Sequence, residues 1–166
     1  MHQSGHYGAA LLAYSPVGAV VVALGFDAAA VGGAVVVVGL SMLPDVDVRL
    51  PNVSHRGPTH TVYFAAAVGV VTGTLGGVVG ATGGPFGMIA LAAFGFTLGA
   101  VAVLSHLGAD ALTPMGVRPF ADGRHYSLGV CRAANPIANY ALLGVGLAVA
   151  VAAYWVGAGI AAVVGG

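Results

Sequence analysis

The chain has 166 residues, of which 58% are hydrophobic and 6% charged, and its formal net charge is zero. Soluble domains carry roughly 25% charged residues, so a surface drawn from five Arg, five Asp and no Lys or Glu belongs in lipid rather than water. Neutrality also argues against a nucleic-acid partner, which is held by neutralising phosphates.

The N-terminal MHQSGHYGAALLAYSP has no basic leader and no small-residue cleavage site, so no removable signal peptide is expected. A spanning helix needs about 20 apolar residues, and five segments approach or pass that length, at roughly 8–26, 27–43, 59–82, 86–112 and 136–164. Pro16 interrupts the first, and Pro44 closes the second. Gly57-Pro58 opens the third, where proline at the first helical position is a favoured start. Gly83-Gly84-Pro85 separates the third from the fourth, and Asn135-Pro136 opens the fifth. The expected fold is an all-α polytopic membrane bundle of about five helices, one domain over 1–166. Small-xxx-small pairs Gly73/Gly77, Gly76/Gly80 and Gly95/Gly99 are expected to bring helix backbones together, since lipid competes with apolar side chains.

With five spans, the N-terminus and the 44–58 and 113–135 connections share a face. All five arginines (Arg49, Arg56, Arg118, Arg124, Arg132) fall in those connections. The positive-inside rule makes that face cytoplasmic, in a multi-pass cell-membrane protein with a cytoplasmic N-terminus.

The ionisable residues sort to the same end. His6 belongs near the start of helix one. Asp45 and Asp47 follow helix two, and an extended backbone there turns both carboxylates the same way. His55 precedes helix three, and His60 is expected in its first turn. His106 and Asp110 have the i,i+4 spacing that shares one helix face. They continue a stripe of Gly95, Gly99 and Ala102, which points them into the bundle. Ionisable residues in a membrane helix are expensive and face a partner or a cavity. His2 reads as incidental, while His125 and Asp122 read as solvated. Cys131, the single cysteine, cannot form an intrachain disulfide.

LPDVD, HRGPTH and SHLGADALTP, with an early histidine before a Gly-Ala-Leu helix start, resemble the YdjM-type family of integral-membrane, metal-dependent hydrolases. Its members are described as LexA-binding and inner-membrane-associated. The resemblance covers about residues 1–120 and departs at Thr61, where serine is expected. It implies metal ligands at His6, Asp45, Asp47, His55, His60, His106 and Asp110. The His-x-x-x-Asp element is also similar to the ligand pattern of zinc-dependent phospholipase C.

Four histidines and three aspartates exceed the three protein ligands of one catalytic zinc, so two ions sharing Asp45 as a bridge are expected. Mixed nitrogen and oxygen ligation suits Zn²⁺, with Mn²⁺ or Fe²⁺ as alternatives. Asp45, His60 and Arg56 are the residues expected to act on substrate, Arg56 by favouring an anion beside the ions. The expected reaction is hydrolysis of a phosphate ester or phospholipid-type substrate at the cytoplasmic interface. Expected partners are the bilayer and a lipid-like or phosphorylated small substrate, with a homo-oligomer left open. The same ligands also suit a metal or proton transporter, or a metal-stabilised membrane protein without catalysis. Clustering of the polar residues at one end favours the hydrolase over the transporter.

Overall fold

The computed structural model describes residues 1–49 and 56–165. These form α1 (Gln3–Ala23), α2 (Asp27–Leu40), α3 (Val62–Gly80), α4 (Gly84–Ala111) and α5 (Pro136–Val164). Short 3-10 turns cover Pro44–Arg49, Pro58–His60 and Ala81–Gly83. Among the described residues there is no strand, only an isolated bridge between Val117 and Tyr126.

Four helical runs are long and apolar enough to cross a membrane: Gln3–Ala23, Asp27–Arg49, Val62–Ala111 and Pro136–Val164. The difference from the expected five lies in the third run, which stays helical through its bend. Straight, its 50 residues would extend for roughly 75 Å, more than twice the hydrocarbon thickness of about 30 Å. Instead it folds back at Gly84, whose φ of +77° suits glycine, and α3 and α4 lie antiparallel.

The glycine pairs do the packing the sequence suggests. A Cβ on Gly76 would collide with the carbonyl oxygen of Leu91, and one on Gly80 with that of Gly87. Gly95 and Gly99 press in the same way on Thr72 and Val68. A second close pair was not anticipated: Gly8 of α1 and Gly146 of α5 meet backbone to backbone. α2 packs on α1 and α4, while α5 lies along α1. The buried cluster between α1, α2 and α4 is Ala10, Tyr14, Val37, Leu98 and Ala102. A second, of Ala65, Val68, Val103 and Leu107, joins α3 to α4. Outside these lies a belt of exposed Val, Leu, Ile and Phe, the surface that lipid solvates.

Local chemistry sets the helix ends. After α1, Gly25 (φ +83°) lets its N–H donate to the Val22 carbonyl and Phe26 N–H to the Val21 carbonyl, a Schellman closure. Thr61 Oγ1 accepts the Phe64 N–H at 3.2 Å and caps α3. Asn135 caps α5 by accepting the Ala138 N–H at 3.3 Å, with Pro136 at the first helical position. Two expectations are corrected here. His60 lies in the 3-10 turn before the Thr61 cap, not in the first turn of α3. The Asp45–Asp47 segment is a 3-10 turn, not extended: α2 ends at Leu40, and Pro44, which lacks an N–H to give, opens the 3-10 turn.

Candidate metal centre

α1, the Pro44–Arg49 turn, the Pro58–His60 turn and the last two turns of α4 meet at one end of the bundle. His6, Asp47, His60, His106 and Asp110 are all buried there. Pro58 and the Thr61 cap fix the turn that carries His60. The Gly95-Gly99-Ala102 face of α4 is buried as the sequence stripe suggests, which carries His106 and Asp110 inward.

Hydrogen bonds set the orientation of two imidazoles. His106 Nδ1 lies 2.7 Å from the Ser41 carbonyl oxygen. A carbonyl only accepts, so Nδ1 carries a proton and Nε2 of the neutral ring is bare. Thr59 Oγ1 donates to Asp47 Oδ2 at 2.9 Å, which spends its proton. It therefore accepts from His60 Nδ1, 3.1 Å away, and Asp47 Oδ2 stands 3.3 Å from the same nitrogen. In its neutral form His60 also presents a bare Nε2.

The two Nε2 atoms are 3.2 Å apart. Asp45 Oδ1 lies 3.4 Å from each, and Asp110 Oδ2 lies 3.8 Å from each. Lone pairs and carboxylate charge thus gather about the Nε2 pair, with Asp45 and Asp110 each facing both nitrogens. Two ligands at 2.0–2.1 Å on a tetrahedral zinc stand roughly 3.3 Å apart, close to the spacings among His60 Nε2, His106 Nε2 and Asp45 Oδ1. Two groups, His60/His106/Asp110 and His6/Asp45/His106, have ligand atoms within 4.8 Å of one another and can hold a metal ion.

His6 supplies an independent sign. Its ring stacks on His106 with centroids 3.8 Å apart and planes within 5°. Both its nitrogens are buried without a hydrogen-bond partner among the described residues, a costly state unless an ion or water completes it. Its Nε2 is 3.7 Å from Asp110 Oδ1. Asp110 therefore turns one oxygen to His60 and His106 and the other to His6. The donor set fits a divalent cation, and the backing bonds to Ser41, Asp47 and Thr59 are the outer contacts that hold metal-binding histidines in place.

The remaining candidates fall differently. Asp47 stands behind His60 and enters neither group among the described residues. Its Oδ2 also accepts the Arg56 N–H at 3.0 Å. Arg56, with φ +63°, donates from one terminal nitrogen to the Gly116 carbonyl at 2.6 Å. Its other terminal nitrogen pairs with Asp110 Oδ2 at 3.0 Å, so it clamps a carboxylate rather than presenting an open cation. His55 lies outside the described residues. His125 is exposed, with Nε2 2.9 Å from the Met115 carbonyl, and Asp122 pairs with Arg124. Sequence reasoning missed Ser41, Thr59 and Asn139. Asn139 is fully buried and accepts the His2 N–H at 3.0 Å, tying the start of α1 to α5. A lone Asn in the first turn of a proline-started helix gave no signal of that. The amino nitrogen of Met1 pairs with Asp110 Oδ1 at 2.9 Å.

The family profile described as YdjM inner membrane protein matches residues 1–165. The chain belongs to that family. The match runs through α5, well beyond the motifs that first suggested it. No curated protein and no solved structure matches the chain. YdjM-family membership and the apolar helices together make this a membrane protein in contact with the bilayer.

Proposed function

We propose that the chain is a membrane-embedded, metal-dependent hydrolase that cleaves a phosphate ester of a lipid-like substrate at the cytoplasmic face. The observation that carries this reading is the facing pair of His60 and His106 Nε2 atoms, with a carboxylate oxygen of Asp45 and one of Asp110 within 3.8 Å of both. Zn²⁺ is the preferred ion, with Mn²⁺ or Fe²⁺ as alternatives. His6, Asp45 and His106 form a second group of ligand types that could hold an ion. A bound ion would polarise the phosphoryl group and ease deprotonation of water.

The chain's own groups divide the rest of the work. Asp47, Thr59 and Ser41 hold the two imidazoles with Nε2 inward. Arg56 fixes Asp110. Asp45, whose side chain is 26% exposed against 2% for Asp110, stands where solvent arrives and is placed to accept a proton from the attacking water. The water oxygen joins phosphorus, the ester P–O bond breaks, and the departing alkoxide takes up a proton. Among the described residues, the far end carries only Asp27 as an ionisable group other than tyrosine. It is bonded to Tyr154 Oη at 2.8 Å, and this disfavours an ion path through the bundle.

Purified protein should hold bound metal and release phosphate from phospholipid-type substrates. Chelation should abolish the release, and zinc should restore it. Metal-loaded protein that releases no phosphate from any such substrate would defeat the hydrolase reading. Placement of the site at the cytoplasmic face rests on the arginines. Reporter fusions at residue 125 and at the C-terminus should report opposite sides of the membrane, and the same side would overturn it.

A further inference from the structure

Among the described residues, a groove adjoins the cluster at Asp45. It has a volume of about 440 Å³ and is lined by Gln3, Met42, Asp45, Val46, Val48 and Arg49. Asp45 is the link between groove and centre, being the half-buried carboxylate of the cluster. The Pro44–Arg49 turn sorts its side chains between the two sides. Asp45 and Asp47 face the histidines, while Val46, Val48 and Arg49 are exposed.

A phosphate ester approaching here needs a cation, and Arg56 is not free to serve. Its terminal nitrogens are committed to Gly116 and Asp110. Arg49 lines the groove and makes no ion pair among the described residues. Beside it, Val46 is 42% and Val48 67% exposed, and Met42 completes an apolar wall. A lone guanidinium next to an apolar wall, at the end of a membrane bundle, matches an anion that carries a hydrocarbon tail.

We propose that Arg49 binds the phosphate group of an amphiphilic substrate whose apolar part lies on Met42, Val46 and Val48. This rests on the hydrolase reading for its use, but binding is measurable without turnover. Asp45 does not oppose it, because its charge is directed at the His60–His106 pair, where a cation would be held.

The test uses the full chain in nonionic detergent, loaded with zinc and assayed for metal content. It is titrated with dihexanoyl phosphatidic acid and, separately, with inorganic phosphate. Wild type should bind the lipid more tightly than the free anion. Arg49→Gln should weaken both by roughly tenfold or more, the effect of losing a charge-assisted hydrogen bond, with zinc content unchanged. Arg49→Lys should recover part of the loss. Val48→Ser should weaken the lipid alone. Arg49→Gln within about twofold of wild type for both probes, or a wild type that binds neither, overturns the proposal. Equal affinity for the two probes overturns its amphiphilic half and leaves a site for soluble phosphate esters. Binding as stated without phosphate release would sink the hydrolase reading alone. Phosphate release with an unchanged KM in Arg49→Gln would sink this proposal alone.

Discussion

His106→Ala tests the centre most directly, because it removes contacts to five groups at once. It deletes the Nε2 that faces His60, Asp45 and Asp110. It frees the Ser41 carbonyl and leaves His6 without the ring it stacks on. A ligand present at 100 times its Kd stabilises the folded state by about 2.7 kcal/mol. At roughly 2–4 °C per kcal/mol for a chain of this size, that corresponds to a rise of about 5–11 °C in Tm. Loss of an outer-shell partner weakens metal binding about 10–100-fold, and loss of a direct ligand should do at least as much. At a hundredfold weaker affinity the same free zinc contributes only about 0.4 kcal/mol, or roughly 1–2 °C. The assay is thermal unfolding in detergent with zinc and with chelator, alongside metal analysis. Wild type should show the large shift, His106→Ala almost none, and the exposed His125→Ala the wild-type value. A His106→Ala protein that keeps full metal content and the full zinc-dependent shift would refute the assignment of the site.

Asp47→Asn keeps the side-chain volume but weakens the acceptor facing His60 Nδ1. Zinc affinity measured by competition with a chromophoric chelator should fall about 10–100-fold. Gly76→Ala puts a methyl group against the Leu91 carbonyl and should destabilise the α3–α4 pair by about 1–3 kcal/mol. Gly144→Ala, with nothing within 4 Å of its Cβ, should instead stabilise α5 by roughly 0.5–1 kcal/mol, so the two variants should move the melting curve in opposite directions. Cys131, partly exposed in the 113–135 connection, should be replaceable by Ala with no change in metal content. A loss there would mean the ligand set is wrong in kind.

Much of this was legible because membrane helices advertise themselves. The fifth helix lies at Pro136–Val164, where Asn135-Pro136 and the apolar run placed it. The inward turn of His106 and Asp110 followed from i,i+4 spacing and from the glycines on the same face. What the sequence could not carry was the division of labour among the polar groups. Asp45 and Asp47 are the same residue type two positions apart, yet one faces the ligand nitrogens and the other backs His60. That choice depends on the 3-10 path after Pro44 and on the Thr59 hydroxyl across from it. Arg56 reads as a free cation in the sequence and is a clamp in the fold, because Gly116 and Asp110, both distant in the chain, reach it. Gly8 and Gly146 are likewise separated by most of the chain, so no local pattern pairs them.

The centre draws its described groups from positions 6, 45, 60, 106 and 110, and this spread has a consequence during synthesis. His6 enters the bilayer first and has no complete set of partners until the end of α4 has emerged and folded back along α3. Every earlier stage of insertion holds His6, then Asp45, then His60, awaiting His106 and Asp110. A ligand set able to take an ion would therefore be complete only late in biogenesis, after the α3–α4 hairpin closes. A nascent chain halted before residue 106 would leave His6, Asp45 and His60 without that partner, at the cost that unpaired polar groups carry in lipid.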